Sequence, residues 1–324
     1  MIRLITIDDI TDTFLKGKQR GWDFIMSKFT FSNSSRTKSA FNNSSKLSSN
    51  WWIIPLVKER WNFMMTGNSN MNYKQYLVQE FLKDRTNLKL LSLGSGSCSH
   101  EIELAGYDNF EKITCVDLSK ERIEGAIKSA NAKQLSTIEF ICSDIEKYHF
   151  PKNHFDIVLF NSSLHHFNDV ENLLTQKVNT CLSDSGMLVI NEYIGPNRLQ
   201  FPKHQIKEIN SALKLIPKKY KKRYNSSFIK RKFFGSGILR MIIADPSECV
   251  DSKNIIPTIH NNFEILVEKP YGGNILMNVL KDISHHFINE NEEKRKVLNE
   301  LFLFEDNYLN HNTSDFLFGI YKKK

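Results

Sequence analysis

Polar and small residues at the ends of three predicted strands have the types and spacing of a nucleoside-binding site. Gly94, Ser95 and Gly96 stand where a first strand turns into a helix, and glycine lets the backbone pass close to a ligand. Asp117 ends the second strand, where a carboxylate can accept both hydroxyl hydrogens of a ribose. Asp144 follows the third strand and could accept the amine of an adenine. The predicted surroundings of that ring are the neighbouring residues Leu118, Ser143 and Ile145.

Each carboxylate also has a structural interpretation that competes with the binding one. Asp117 could cap the helix that begins at Ser119, and Asp144 could cap a turn. A dinucleotide site would need a third glycine where Ser99 stands, so the sequence argues against a nicotinamide cofactor. The agreement of three strand ends, together with a polar loop that begins at Asn161 after the fourth strand, favours cofactor binding.

The loop after the fourth strand holds two candidates for a general base, His165 and His166. An imidazole titrates near neutral pH and can take a proton from a hydroxyl acceptor, although either histidine could instead cap the next helix or fill the loop. Glu192, just after the fifth strand, could orient an acceptor hydroxyl or amine. The remaining candidates would bind the acceptor through a hydroxyl, two guanidinium groups and a carboxylate: Tyr193, Arg198, Arg240 and Glu248.

Short β runs alternate with helical stretches from residue 88 onward, a pattern typical of a parallel sheet with crossover helices. The predicted strands are residues 88–93, 113–116, 137–142, 155–160, 186–190, 263–268 and 315–321. The predicted helices are residues 51–65, 73–84, 99–105, 120–132, 170–182, 203–215 and 275–303. We therefore predict an α/β fold, a doubly wound and mainly parallel seven-stranded Rossmann-like sheet with helical additions at the N-terminus and after the fifth strand.

The 324 residues suffice for one large domain with additions or for two modest domains, and 40% hydrophobic residues can fill a core. We divide the chain into an N-terminal helical lid (1–87) with a Ser- and Asn-rich segment (32–50), a cofactor-binding core (88–192), a substrate-side insertion (193–256) and a C-terminal helix with the last two strands (257–324). No apolar run approaches the ~20 residues of a membrane helix, and acidic residues near the N-terminus argue against a signal peptide. We therefore expect a cytoplasmic protein, and no bound metal because its five cysteines lack metal-ligand spacing.

Positive charge is concentrated in residues 218–232, the basic patch, where eight of fifteen residues are Lys or Arg in a chain of formal net charge +8. Such a patch could attract an anionic small molecule, a nucleic acid or an anionic surface. Aromatic residues within or beside it favour the nucleic acid: Tyr220, Tyr224, Phe233 and Phe234. The patch could equally be a solvated face of a chain rich in Lys and Asn.

The constellation described above resembles the class I S-adenosylmethionine-dependent methyltransferase family, and the resemblance covers the predicted core. It implies S-adenosylmethionine as the cofactor, with Gly94 and Gly96 beside its methionine part. It further implies that Asp117 binds the ribose, Asp144 the adenine amine and Asn161 the amino group of the cofactor. Flanking segments are similar to a bacterial subgroup associated with small-molecule or surface-glycan pathways: residues 51–62, 191–201, 245–248 and 269–273.

Two positions depart from the pattern of that family. The family usually has an acidic residue where Ser92 stands and a glycine where Cys98 stands. The first departure leaves the ammonium group of the cofactor without its usual carboxylate. Glu101, one helical turn further along the chain, is a candidate replacement.

The leading interpretation is methyl transfer to a small molecule or carbohydrate, most simply on oxygen. Methyltransferases that act on base nitrogens carry an Asn/Asp-Pro-Pro-aromatic motif, whereas this chain has Asn-Ser-Ser-Leu at residues 161–164. The second hypothesis is an RNA or DNA methyltransferase that uses the basic patch. The third is a non-catalytic scaffold that binds the cofactor or a partner, which the departures at Ser92 and Cys98 favour. The sequence predicts no oligomeric state.

Overall fold

The structure is a computed structural model that describes residues 2–20 and 49–324, with only the backbone described for residues 16–20. The predicted Ser- and Asn-rich segment, residues 32–50, therefore lies almost wholly outside the described residues. The chain divides into two compact units. The sheet unit comprises Met71–Ile194, Cys249–Lys269 and Leu317–Lys324. The helical unit comprises Met1–Asn70, Gly195–Glu248 and Pro270–Phe316.

Seven strands form one sheet in the order β3-β2-β1-β4-β5-β7-β6. They are β1 (Leu88–Leu93), β2 (Phe110–Asp117), β3 (Ile138–Cys142), β4 (Phe155–Asn161), β5 (Leu182–Tyr193), β6 (Phe263–Gly272) and β7 (Phe316–Lys323). β1 pairs in parallel with β2 and β4, while β3 joins β2 and β5 joins β4, again in parallel. The prediction of a doubly wound, mainly parallel seven-stranded α/β sheet is confirmed.

Local sequence explains the elements that surround the cofactor candidates. All residues of β1, LKLLSL, are buried except Lys89, as expected for a parallel strand with both faces covered. The helix Lys120–Ala132 has the predicted bounds, and the Ser119 hydroxyl oxygen accepts a hydrogen bond from the Arg122 N–H at 3.3 Å to cap it. Its buried side chains recur at helical spacing: Ile123, Ala126 and Ala130.

The remaining helices divide between the two units. The sheet unit has Tyr73–Tyr76 with a π-helical turn at Leu77–Phe81, Ser99–Leu104, Val170–Asn172 with a π-helical turn at Leu173–Val178 and Asn179–Cys181, and Ile255–Asn262. The helical unit has Ile7–Arg20, Pro55–Thr66, Lys203–Leu215, Ile238–Ala244, Leu276–Leu280 and Glu292–Leu309. Among the described residues, none of the helices combines the length and the apolar composition that crossing a membrane requires.

The single helix predicted at residues 275–303 is wrong, because the chain breaks there into two helices. Leu276–Leu280 ends early, Asp282 takes a left-handed conformation with φ +69°, and Glu292–Leu309 begins ten residues later. The break is held by Lys230, which is 2% exposed. Its ammonium donates to the main-chain carbonyls of Asn278, Val279 and Lys281 at 2.5, 3.2 and 2.7 Å.

Acidic residues near the N-terminus have structural partners in the helical unit. Asp9 accepts a hydrogen bond from Arg240 Nε at 2.8 Å, and Asp12 accepts one from Lys281 Nζ at 2.6 Å. Both aspartates are 5% exposed, so their charges are balanced by buried ion pairs rather than by solvent. These contacts join the helix Ile7–Arg20 to the rest of the helical unit.

Candidate functional site

The backbone between β1 and the helix Ser99–Leu104 forms a tight cradle that requires glycine. Gly94 and Gly96 have positive φ angles of +69° and +58°, a conformation that side chains with a Cβ rarely adopt. A Cβ on Gly94 would lie 2.7 Å from the Cβ of Ser163, so a side chain has no room there. The Gly94 N–H donates to the carbonyl of Val116 at 2.8 Å, which holds the loop across the ends of β1 and β2. This cradle fits the close approach of a ligand to the backbone.

Asp117 ends β2 and shapes the same loop. Its Oδ2 accepts the Gly96 N–H at 2.8 Å and its Oδ1 accepts the Ser119 N–H at 2.8 Å. Each carboxylate oxygen has a second lone pair, so the two oxygens can still accept ribose hydroxyls. Two other predicted cofactor residues are partly exposed: Ser95 in the glycine loop and Leu118 directly after Asp117. The capping and binding interpretations of Asp117 are therefore compatible.

Asp144 caps a turn, as its structural interpretation requires. Its Oδ1 accepts the N–H of Glu146 at 3.0 Å at the start of the 3₁₀-helix Ile145–Lys147, whose first residue is buried. Ser143 is tied to β2, because its N–H donates to the carbonyl of the last residue of that strand at 3.0 Å. The predicted adenine-lining residues thus lie at the ends of β2 and β3, and the binding role of Asp144 stays a prediction.

Ser92 and Glu101 form a buried hydrogen-bonded pair beside the glycine loop. The Ser92 hydroxyl donates to Oε1 of Glu101 at 2.6 Å, and the two residues are 0% and 2% exposed. Burial raises the pKa of the Glu101 carboxyl, whereas the hydrogen bond from Ser92 and the charge of Lys74 act in the opposite direction. Cys98, where the family usually has glycine, is left-handed with φ +53°. The carboxylate of Glu101 therefore lies against the side chain of Ser92, near the end of β1.

His165 and Glu192 form a buried pair where β4 and β5 end. His165 Nδ1 lies 2.7 Å from Oε2 of Glu192, and the side chains are 9% and 0% exposed. An ionised carboxylate only accepts hydrogen bonds, so we assign the ring proton to Nδ1 and the basic lone pair to Nε2. Glu192 thereby fixes both the orientation and the tautomer of the imidazole.

The turn after β4 explains why the Glu192 carboxylate lies within this loop. Ser162 has a φ of +52° and donates its N–H to the carbonyl of Asn191 at 2.8 Å, which bends the chain back over the end of β5. The N–H groups of Ser163 and Leu164 then donate to Oε1 of Glu192 at 2.5 and 2.7 Å. The structure shows Glu192 holding the loop and the histidine, and its predicted contact with an acceptor stays a prediction.

The other predicted residues of this edge are His166, Tyr193 and Asn161. The ring centroid of His165 lies 4.3 Å from that of His166 and 6.2 Å from that of Tyr193. Tyr193 is 3% exposed. Asn161 Oδ1 accepts a hydrogen bond from the side chain of Asn191 at 2.8 Å. The structure thus brings the two histidines and the tyrosine together and gives Asn161 a cross-strand partner.

Arg198, Arg240 and Glu248 belong to the helical unit. Arg198 Nη1 donates to the main-chain carbonyl of Glu248 at 3.1 Å, so these two residues lie side by side. Arg240 is engaged by Asp9 and by Asp12, whose Oδ2 lies 3.5 Å from its Nη2. The acceptor-binding roles of all three stay predictions, and for Arg240 the structure shows an internal role.

A contact that the sequence did not predict joins the helix Tyr73–Tyr76 to the helix after the glycine loop. The Tyr73 hydroxyl lies 2.8 Å from His100 Nδ1, and the two rings stack at 5.6 Å. Burial, with the charge of Lys74 as a second cause, lowers the pKa of His100 to about 4, so the ring is neutral at neutral pH. The sequence predicted both helices, but no sequence pattern indicated the contact between Tyr73 and His100.

The basic patch is in part an internal structure of the helical unit. Lys230 is buried against main-chain carbonyls, and Arg223 forms an ion pair with Asp282. Two of the aromatic residues proposed for base stacking are 9% and 7% exposed, Tyr220 and Phe233. These contacts remove charge and ring surface from the patch, which weakens the nucleic-acid hypothesis.

Comparison with known proteins finds a match for the central part of the sheet unit. The family model of the methyltransferase domain matches residues 91–190. The uncharacterized methyltransferase YcgJ of Bacillus subtilis is 25% identical over 131 residues, which cover 37% of this chain and 51% of YcgJ. The uncharacterized protein YafE of Escherichia coli is 32% identical over 88 residues, which cover 27% of this chain and 42% of YafE. The chain therefore spans about half the length of these curated relatives, or less.

Solved structures with a similar fold are more distant in sequence. Phosphoethanolamine N-methyltransferase 2 of Haemonchus contortus, solved in complex with S-adenosyl-L-methionine, is 14% identical with a TM-score of 0.48 and covers 83% of this chain and 56% of that chain. An S-adenosylmethionine-dependent methyltransferase of Mesorhizobium loti is 15% identical with a TM-score of 0.45 and covers 78% of this chain and 98% of that chain.

Proposed function

We propose that this chain, which contains a class I S-adenosylmethionine-dependent methyltransferase domain at residues 91–190, transfers a methyl group from S-adenosylmethionine to a small-molecule or carbohydrate acceptor, most simply to oxygen. The observation that carries the proposal is the buried pair of His165 and Glu192. Its loop adjoins the glycine cradle, because the Ser163 hydroxyl donates to the carbonyl of Leu93 at 2.7 Å. A candidate base and a candidate cofactor cradle therefore share one edge of the sheet unit.

The residues of the pair have complementary roles in this proposal. S-adenosylmethionine, when bound, supplies a methyl group on a sulfonium whose sulfur departs as a thioether during in-line displacement. An acceptor hydroxyl is a weak nucleophile until it loses its proton, and we assign Nε2 of His165 to take that proton. Glu192 stabilises the imidazolium that results, because its carboxylate remains hydrogen-bonded to Nδ1. His166 is the alternative base in the same loop.

The cofactor would be held by backbone and carboxylate groups at three strand ends. Gly94, Ser95 and Gly96 would border its methionine part, and Asp117 its ribose. The conformation of the glycine loop and the two remaining acceptor positions of Asp117 support this assignment. The adenine would lie among Leu118, Ser143, Asp144 and Ile145, and Asn161 would contact the amino group.

Tyr193 in the sheet unit stays a candidate to bind the acceptor, as do two neighbouring residues of the helical unit, Arg198 and Glu248. An arginine favours an acceptor with a carboxylate or phosphate, since its guanidinium can donate two parallel hydrogen bonds. We place the reaction in the cytoplasm, which the five cysteines support because all of them lie in the described residues as free thiols.

Two other functions remain as outcomes of a test. A nucleic-acid methyltransferase would use the cations of the basic patch that stay exposed: Lys218, Lys219, Lys222, Arg231 and Lys232. A non-catalytic scaffold would bind the cofactor or a partner without turnover, and the departures at Ser92 and Cys98 motivate it.

Transfer of a labelled methyl group distinguishes these functions. The protein is incubated with methyl-labelled S-adenosylmethionine and, separately, with RNA, protein, polysaccharide and small-molecule fractions of a cell extract. We expect label in the small-molecule or polysaccharide fraction and much less of it with the His165→Ala variant. Label in RNA alone would replace the proposal with the nucleic-acid function. Absence of label from every fraction would favour the scaffold.

A further inference from the structure

Glu101 is a buried acid on which the charge of Lys74 acts only from beyond ion-pair distance. Glu101 lies on the helix Ser99–Leu104, directly after the glycine loop, and is 2% exposed. Within the part of the chain that the structure describes, no basic side chain forms an ion pair with it. The neighbouring cation Lys74 instead pairs with Glu103 at 3.1 Å. Burying an ionised carboxylate is costly unless an opposite charge is supplied, and a ligand can supply it.

The Ser92 hydroxyl gives this carboxylate a fixed place at the end of β1. It donates to Oε1 of Glu101 at 2.6 Å, and Ser92 is fully buried. A neutral donor orients the carboxylate and favours its charged form without cancelling the charge. Because β1 ends at Leu93 and the cradle begins at Gly94, the pair places a negative charge next to the predicted site of the methionine part.

We propose that Glu101 receives the ammonium group of the methionine part of S-adenosylmethionine and that Ser92 positions its carboxylate. This inference rests on the proposed function, since it requires the cofactor to bind at the glycine loop. Glu101 then replaces the acidic residue that the family usually has at the position of Ser92. The ligand supplies a direct ion-pair partner, which Glu101 lacks among the described residues.

Two ligands that differ only in the ammonium group test this proposal. The parent and a Glu101→Gln variant are titrated by calorimetry with S-adenosylhomocysteine and with its deaminated analogue, in which hydrogen replaces the amino group. We expect Glu101→Gln to weaken S-adenosylhomocysteine binding by about 10- to 100-fold, the effect of one charged hydrogen bond. Binding of the deaminated analogue should not weaken. Glu103→Gln, a change at a more exposed acid of the same helix, should bind both ligands as the parent does.

The outcomes separate this inference from the proposed function. Equal binding of S-adenosylhomocysteine by the parent and by Glu101→Gln would overturn it. An equal loss of affinity for both ligands in Glu101→Gln would also overturn it, because Glu101 would then shape the site rather than contact the ammonium. 5′-Methylthioadenosine lacks the whole amino-acid part, so a parent that binds neither it nor S-adenosylhomocysteine has no cofactor site here. A Ser92→Asp/Glu101→Gln double variant returns a carboxylate to the end of β1 and is expected to recover affinity for S-adenosylhomocysteine.

Discussion

Glu192 holds the imidazole of His165 through a hydrogen bond of 2.7 Å between Oε2 and Nδ1. If His165 is the base, His165→Ala removes the proton acceptor and lowers kcat by about 100- to 10,000-fold. Binding of S-adenosylmethionine should stay as in the parent, because His165 is not among the residues predicted to bind the cofactor. Steady-state kinetics with the acceptor found by labelling, together with calorimetry, measure the two effects.

His149→Ala is the matched control for this prediction. His149 is exposed and lies outside the loop of the pair, so kcat should remain that of the parent. A His165→Ala enzyme with parental kcat would remove His165 from the mechanism. The same kcat combined with a large loss in His166→Ala would transfer the role of base to His166.

Glu192→Gln separates positioning from proton transfer. The amide can still accept hydrogen bonds from the loop, but it carries no charge to stabilise an imidazolium. We expect kcat to fall by about 10-fold or more while KM for the acceptor changes little. The amide nitrogen of Gln donates hydrogen bonds, so it cannot accept the proton on Nδ1 of His165 and favours the tautomer in which Nε2 carries the proton and cannot act as base. A Glu192→Gln enzyme with the kcat of the parent would contradict the assigned role.

Gly94→Ala tests the cradle, because the new Cβ would lie 2.7 Å from the Cβ of Ser163 at a φ of +69°. Strain of this kind costs about 1 to 3 kcal/mol, so the free energy of unfolding should fall by at least that amount. Gly125→Ala is the control, since Gly125 lies in the helix Lys120–Ala132 and a Cβ there meets nothing within 4 Å. That variant should gain about 0.5 to 1 kcal/mol. Urea unfolding measures both, and equal stability of the two variants would refute the close approach.

Asp315 makes the stability of the helical unit dependent on pH. Burial raises the pKa of this carboxyl to about 7, with the nearby charge of Glu305 acting in the same direction. Since its pKa is lower in the unfolded chain, the stability that this group contributes is present in acid and is lost as the pH rises through about 7. Asp315→Asn should therefore be more stable than the parent at pH ~8 and should lose this part of the pH dependence.

Thermal unfolding between mildly acidic and mildly alkaline pH measures this effect. Asn can still accept the hydrogen bond that Gln205 Nε2 gives to Asp315 at 2.7 Å, so the variant isolates the charge. Asp108→Asn, at an exposed aspartate, should leave the pH dependence as in the parent. A parallel pH dependence of the parent and Asp315→Asn would exclude a raised pKa at this position.

Sequence alone could predict the elements whose signals are local. The bounds of β1, of the helix Lys120–Ala132 and of the helix Lys203–Leu215 agree with the prediction, because the apolar pattern of each element lies within its own segment. The break near Asp282 could not be predicted in this way. It depends on Lys230, which is distant in sequence and whose ammonium donates hydrogen bonds to main-chain carbonyls at the end of the first helix.

The candidate site shows the same division. The glycine pair and Asp117 were recognisable because strand ends meet at one edge of a parallel sheet. The role of Glu192 could not be recognised in this way. It depends on the N–H groups of Ser163 and Leu164, which the turn at Ser162 brings from the end of β4 to the end of β5. The contact between Tyr73 and His100 likewise joins separate helices and has no signal within either segment.

Calorimetric titration of the parent and of Asp117→Asn with S-adenosylmethionine tests the central claim most directly. Asp117 offers the ribose two carboxylate oxygens, so we predict saturable binding by the parent and affinity reduced by about 10- to 100-fold in the variant. The variant should also bind 5′-methylthioadenosine more weakly than the parent does, because that ligand keeps the ribose. A parent that does not bind S-adenosylmethionine, or an Asp117→Asn variant that binds it as tightly as the parent, would contradict the account.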